Sequence, residues 1–114
     1  MELKFYMLNK KIIFSEYDLD LEKVEIKTVD ANEKHVPVVE KDGNVVTVKV
    51  GDVPHPMTEE HHIEYILVET NKGFYVQNLD FNKPAFAKFN LLPDEYIVRT
   101  YAYCNLHGVY KKEN

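Results

Sequence analysis

Alternating apolar and polar side chains run through most of the chain and predict a protein built from short strands. Residues 22–29 alternate in this way, with Val24 and Ile26 on one face and charged residues on the other. The segment Val45–Val50 shows the same two-residue period, which is typical of a half-buried strand. The segment Ile63–Thr70 is apolar on both faces. It therefore predicts a strand that is buried on both sides.

Turn-forming residues divide the rest of the chain into further short strands. Residues 3–8 and 12–14 flank Asn9-Lys10-Lys11 and predict a hairpin, while residues 18–23 could form one helical turn. Asp42-Gly43 is expected at the centre of another turn. Further extended segments are expected at residues 36–40, 74–79, 81–90 and 96–103, the last of these leading into Cys104. The pattern favours an all-β, immunoglobulin-like antiparallel β-sandwich of about seven strands with a short N-terminal β extension.

Length and composition narrow the range of functions. The chain has 114 residues and a net charge of −5, so one domain is expected and non-specific binding to nucleic acid is disfavoured. No apolar run approaches the ~20 residues of a membrane span, and the N-terminus lacks the pattern of a secretory signal. A single cysteine cannot form an internal disulfide. We therefore expect a cytoplasmic protein.

The single cysteine lies in a short motif near the C-terminus, Cys104-Asn105-Leu106-His107-Gly108. A thiolate and an imidazole this close in sequence can share one transition-metal ion. The glycine allows a sharp turn of the backbone beside them. The alternative is that Cys104 is a small buried apolar residue, the usual role of an unpaired cysteine.

Four further histidines give this motif possible partners. His55 and His61 are six residues apart, which on a strand would separate them by about 20 Å. Only a loop that curls back would bring both imidazoles to one ion, and Pro54 and Pro56 are compatible with such a loop. A solvated acidic loop that happens to carry histidines is the alternative. His35 could likewise be an exposed loop residue. The complete set of histidines is His35, His55, His61, His62 and His107.

Three motifs in this order resemble those of the superoxide reductase family, which comprises the neelaredoxins and the C-terminal domain of the desulfoferrodoxins. The family motifs are E-K-H-V-P, H-P-x-x-x-x-H and C-N-x-H-G. They correspond here to residues 33–37, 55–61 and 104–108. The resemblance extends over about residues 29–111 and implies the same immunoglobulin-like fold.

The resemblance implies a mononuclear non-haem iron that cycles between Fe²⁺ and Fe³⁺. Four imidazoles would lie in a plane, the cysteine thiolate would take one axial position, and the sixth position would be open. Structural zinc sites have four ligands, so five donors suit iron better. His62 occupies a variable position of the family motif and is expected to have a structural role. The implied ligands are His35, His55, His61, His107 and Cys104.

The resemblance also implies catalytic roles for Lys34 and Glu33. A lysine ammonium near the open face would attract the superoxide anion and stabilise bound peroxide, although the chain as a whole is acidic. The glutamate would take the sixth position once the iron is ferric. The alternative for this pair is a solvated surface ion pair, the usual fate of adjacent Glu and Lys residues.

The implied reaction joins one superoxide, one electron and two protons to give hydrogen peroxide, without release of dioxygen. The expected electron donor is a small carrier resembling rubredoxin, and a homodimer or homotetramer is expected. One alternative is an iron-binding or electron-transfer module without turnover. Another is a structural β-sandwich with incidental histidines.

The N-terminal residues depart from the two-iron members of the family. Those proteins carry a small N-terminal domain in which four cysteines bind a second iron, whereas residues 1–30 here contain no cysteine. We expect residues 1–30 to form a metal-free remnant of that domain, either as a hairpin or as extra strands of the sandwich. This segment could contribute to a dimer contact. Residues 31–114 are expected to form the iron-binding β-sandwich domain.

Overall fold

A computed structural model describes residues 2–28, 35–51 and 54–114. Glu33 and Lys34 lie outside these ranges. Helices are absent from the described ranges, including the helical turn expected at residues 18–23. The described strands are β1 (Lys4–Leu8), β2 (Lys11–Ser15), β3 (Pro37–Asp42), β4 (Val45–Val50), β5 (Ile63–Thr70), β6 (Phe74–Asn78), β7 (Phe86–Asn90), β8 (Ile97–Cys104) and β9 (Gly108–Glu113).

The strands form three antiparallel sheets. Their orders are β1-β2, β3-β4-β7 and β6-β5-β8-β9. The second and third sheets contain seven strands and face each other across a common core. The predicted all-β sandwich with an N-terminal β extension is therefore confirmed. Between β3 and β4 the two-residue turn is Gly43-Asn44, one residue later than predicted, with Gly43 at a φ of 62°.

The core of the sandwich is formed by the inward faces of these two sheets. Val46, Val48 and Ile66 are completely buried in it, and each such side chain contributes about 1.5–3 kcal/mol through removal from water. Alternation along β4 explains its side of the core, because its inward valines are two residues apart. The buried members of this cluster are Val46, Val48, Val50, Ile63, Ile66, Val68, Ala87, Phe89, Leu91, Ile97, Ala102 and Cys104.

The β1-β2 hairpin covers the other face of the four-stranded sheet. Leu67 of β5 and Tyr101 of β8 belong to a second core with Phe5 of β1, and the Phe5 and Tyr101 rings lie 5.0 Å apart. Strands β5 and β8 at the centre of this sheet are thus buried on both faces, as predicted for β5. Residues 2–28 supply a structural layer of the protein.

The segment between β2 and the sandwich corrects one prediction. Residues 22–28 make isolated bridges, Lys23 with Tyr6 of β1 and Lys27 with Tyr110 of β9. Because its two bridges lie on different sheets, the segment crosses between them and forms no ladder of its own. Val24 and Ile26 are still half-buried against the second core. The alternation therefore predicted burial correctly and a regular strand wrongly.

Two predicted strand boundaries also change near the C-terminus. The strand expected over residues 81–90 begins only at Phe86. The chain also continues after Cys104 into β9, which the sequence analysis did not predict. Cys104 pairs with Gly108 across the β8-β9 hairpin, and Gly108 has a φ of 89°, a value that favours glycine. The Cys-x-x-His motif is therefore the loop of a hairpin.

No helix among the described residues has the length and apolar character needed to cross a membrane. The division into residues 1–30 and 31–114 stays a prediction.

We expect Phe5→Ala to destabilise the fold by about 3–5 kcal/mol, because it leaves a cavity in the second core. The measurement is urea unfolding followed by circular dichroism. Phe86→Ala, at a ring that is 46% exposed, is the control and should cost less than about 1 kcal/mol. An equally small effect of Phe5→Ala would show that the N-terminal hairpin is only an appendage.

Candidate metal centre

Four of the predicted ligand residues converge at one end of the sandwich. Their ligand atoms all lie within 4.8 Å of one another, and three of the four residues are buried. One comes from the end of β8, one lies two residues before β3, and two come from the loop between β4 and β5. The four residues are His35, His55, His61 and Cys104.

The fifth predicted ligand, His107, lies beside this group on the β8-β9 hairpin loop. Its Nδ1 is 3.0 Å from His35 Nε2 and 3.7 Å from Cys104 Sγ. Two nitrogens bound to one ion at a right angle with bonds of about 2.1 Å would lie about 3.0 Å apart. The His35–His107 spacing therefore suits two adjacent ligands of one metal ion. His107 is exposed, so it forms the solvent side of the group.

The four imidazoles are arranged as a ring. Successive ring centroids are 4.8 Å apart for His35–His55, 4.7 Å for His55–His61, 5.0 Å for His61–His107 and 4.8 Å for His107–His35. The diagonal from His35 to His61 is longer, 6.4 Å. These distances approximate a square, the arrangement needed for four nitrogens around one ion.

His55 shows most directly that the site suits a metal ion. Its Nδ1–H donates to the Pro56 carbonyl, 2.7 Å away, which leaves Nε2 as the nitrogen with the lone pair. Nε2 is buried and has no hydrogen-bond partner among the described residues. A buried polar atom without a partner is costly, and a metal ion would satisfy it.

Burial also keeps the His55 imidazole neutral. It lowers the pKa of His55 to about 4; the hydrogen bond to Pro56 opposes this effect, and the neighbouring imidazoles of His35, His61 and His107 add to it. A metal binds the neutral form of imidazole. His55 is therefore in the binding-competent state at neutral pH.

The loop between β4 and β5 curls back, as the spacing of His55 and His61 required. Thr58 and His61 close this turn twice: the Thr58 N–H donates to the His61 carbonyl at 2.9 Å, and the His61 N–H donates to the Thr58 hydroxyl at 3.1 Å. The turn reverses the chain between the two imidazoles. It explains how residues six apart reach one point.

His62 points away from the centre. Its Nε2 lies 2.6 Å from Glu64 Oε1 and its Nδ1 lies 2.9 Å from the Thr58 carbonyl. Both ring nitrogens therefore lie against oxygen atoms of the protein, and neither is directed at the clustered ligand residues. This geometry agrees with the structural role expected for His62.

Asn105 and Tyr110 were missed by the sequence analysis. The Asn105 side chain accepts from the His62 N–H at 2.9 Å and donates to the Glu60 carbonyl at 3.0 Å, which ties the hairpin loop to the histidine loop. Tyr110 stacks on His35 with centroids 4.6 Å apart. Asn105 lies inside the Cys-Asn-x-His-Gly motif, and this position could have indicated that it has a role at the site. Tyr110 could not be placed without β9.

The structure thus brings all five predicted ligand residues together and separates His62 from them. Binding of a metal by these five residues stays a prediction. The predicted roles of Glu33 and Lys34 lie outside the described residues.

We expect His55→Gln to lower the affinity for Fe²⁺ or Co²⁺ by at least about 10-fold, since it removes a ligand. Isothermal titration of metal into the metal-free protein measures this change. His62→Gln is the matched control and should retain nearly the original affinity. Equal losses in the two variants would contradict the separation of their roles.

Comparison with known proteins agrees with this geometry. The profile of the desulfoferrodoxin family matches residues 27–113. A desulfoferrodoxin homologue from Archaeoglobus fulgidus is 44% identical over 89 residues, which cover 77% of this chain and 70% of that protein. A superoxide reductase from Pyrococcus furiosus is 37% identical, with coverage of 71% and 86%.

Solved structures show the same relationship. The superoxide reductase from Treponema pallidum superposes with a TM-score of 0.88 at 34% identity and covers 98% of both chains. The one-iron superoxide reductase from Giardia intestinalis gives a TM-score of 0.61 at 33% identity, with coverage of 72% and 97%. With the family profile matched over residues 27–113, the chain belongs to the desulfoferrodoxin family.

Proposed function

We propose that this protein is a superoxide reductase that binds one iron through its four clustered imidazoles and the Cys104 thiolate. The observation that carries the proposal is the convergence of four donor atoms within 4.8 Å of one another. The Nδ1 of His107 lies 3.0 Å from one of the same residues, at His35 Nε2. One cysteine with four histidines exceeds the four ligands of a structural zinc site. Imidazole suits divalent iron.

Each donor residue has a distinct part in this proposal. The four imidazoles would hold the ion, and the turn closed by Thr58 and His61 keeps two of them in position. Cys104 is completely buried, so its sulfur is shielded from water and from oxidants. When bound, iron would supply the one-electron redox chemistry, and the Cys104 thiolate would donate electron density to it.

Lys34 and Glu33 are proposed to serve the substrate. They are the two residues before His35 in the sequence, and His35 itself is 5% exposed. Superoxide is an anion, and the chain carries a net charge of −5. A positive side chain next to the centre would raise the local concentration of superoxide against this repulsion. Glu33 is proposed as a further ligand that would bind the iron once it is ferric.

The overall reaction consumes one superoxide, one electron and two protons and yields one hydrogen peroxide. Superoxide as the substrate agrees with the superoxide reductases among the relatives. The electron would come from a small carrier resembling rubredoxin, and solvent would provide the protons. We further propose a homodimer or homotetramer, and a cytoplasmic location because the single cysteine forms no internal disulfide.

The reaction itself is tested with the iron-loaded protein and an excess of reductant. We expect one hydrogen peroxide per superoxide consumed and no dioxygen from the protein. A dismutase would release dioxygen and give half as much peroxide. An iron-loaded protein that does not accelerate superoxide loss would instead be a non-catalytic iron-binding or electron-transfer module.

We expect Cys104→Ser to bind iron and to lose the visible absorption band that a thiolate gives with oxidised iron. Superoxide reduction should fall by at least about 10-fold. Absorption spectra and kinetics are measured at equal iron content, so that loss of metal is not mistaken for loss of the ligand. An unchanged spectrum would mean that Cys104 is not a ligand.

Lys34→Ala should slow the bimolecular reaction with superoxide by about 10-fold and weaken its dependence on ionic strength, because an attractive charge is lost. Pulse radiolysis at several salt concentrations measures both effects. Lys41→Ala, at an exposed position of β3, is the control and should leave the rate nearly unchanged. Equal rates for both variants would argue against attraction by Lys34.

A further inference from the structure

Lys27 is fixed beside β9 by its backbone. The Lys27 N–H donates to the Val109 carbonyl at 2.9 Å, and the Lys27 carbonyl accepts from the Lys111 N–H at 2.9 Å. This bridge holds Lys27 opposite Tyr110. The Cα of Lys27 is therefore positioned by one hydrogen bond on each side, although the residue itself is exposed.

The Lys27 side chain reaches two groups that border the metal centre. Its ammonium donates to the His107 carbonyl at 2.8 Å and lies 5.4 Å from the centroid of the Tyr110 ring. Tyr110 in turn stacks on His35 at 4.6 Å with an angle of 15° between the rings. One ammonium thus contacts the loop that carries His107 and the ring that supports His35.

We infer that Lys27 is a positioning residue of the metal centre, which holds the His107 loop and the Tyr110–His35 stack in the arrangement that binds the ion. The inference rests on the proposed iron site. It assigns a role in that site to a residue outside all three family motifs. Lys27 itself does not touch the ion.

His107 is sensitive to such positioning because of the nitrogen that it offers. Its Nδ1 faces Cys104 Sγ and His35 Nε2, whereas Nε2 is the inward nitrogen of His55. Nδ1 is the ring nitrogen nearer to the main chain. A small shift of the His107 backbone therefore displaces Nδ1 by almost the same distance. A charged hydrogen bond to the carbonyl of the same residue limits that shift.

The ammonium also acts as a nearby positive charge. A positive charge close to a metal disfavours the more oxidised and hence more positive ion. Removal of the charge should therefore lower the reduction potential of the centre, while removal of the hydrogen bond should loosen His107. The two effects have separate readouts, the potential and the affinity for iron.

The test compares Lys27→Met with Lys23→Met in the iron-loaded protein. Both variants lose one positive charge from the same segment, but Lys23 bridges Tyr6 in β1 and not β9. We expect Lys27→Met to bind iron about 10-fold more weakly in competition with a chelator, to shift the thiolate absorption band and to lower the reduction potential. Lys23→Met should resemble the unaltered protein, and Lys27→Arg should retain most of the affinity.

Four results would overturn the inference. An unchanged band, affinity and potential in Lys27→Met, with a normal band in the unaltered protein, would reject Lys27 while leaving the proposed function intact. Equal changes in Lys23→Met would show that the effect comes from the net charge of the protein and not from the contacts of Lys27. If Lys27→Met does not fold, Lys27→Gln replaces it, and a failure of both to fold would make Lys27 a residue of the fold alone. Absence of the band in the unaltered protein would reject the iron site and the inference together.

Discussion

Burial of strands β5 and β8 on both faces is the constraint on which the rest of the molecule depends. Strand β5 is flanked by the sandwich core on one side and by the aromatic side chains around Phe5 on the other. Strand β8 shares both environments and ends at the completely buried Cys104. The sulfur is therefore attached to a part of the protein with little freedom to move. The Cys104 sulfur thus provides a fixed position around which the histidine loops are arranged.

The remaining donors come from loops, and a few hydrogen bonds and one stacking contact restrict these loops. Thr58 closes the turn that returns His61 toward His55, and Asn105 joins that loop to the β8-β9 hairpin. Tyr110 supports His35 by stacking. The site thus combines one donor on a strand with four on connections whose freedom is limited by a few specific contacts. This combination allows a dense group of imidazoles without a helix.

Sequence reasoning succeeded where the chemistry was local and failed where it depended on partners. The three motifs and their histidines could be found because the residue types and their spacing are unusual. The fold class followed from alternation and turn residues. Strand β9 was missed because Gly108-Val109-Tyr110 is followed by Lys111-Lys112-Glu113, which shows little apolar pattern. Its pairing with β8 decides its structure.

Residues 22–28 show the opposite error. Their alternation is regular, but the segment passes from β1 to β9 and bridges each at one residue only, so no strand forms. The burial of the N-terminal hairpin could not be deduced either, because the second core requires side chains from both ends of the chain. Local periodicity reports which face is apolar. It does not report which element covers that face.

The three-residue loop between Cys104 and Gly108 has a consequence for how this protein can change over evolutionary time. It carries two donors of different chemistry within one β-hairpin, with the sulfur on the strand and the imidazole at the tip. A surface loop normally tolerates insertions and deletions. Here a single added residue would leave the sheet paired but separate sulfur from nitrogen. The length of this hairpin therefore sets the spacing of the two donors in the proposed metal site, although much of the loop is exposed to solvent.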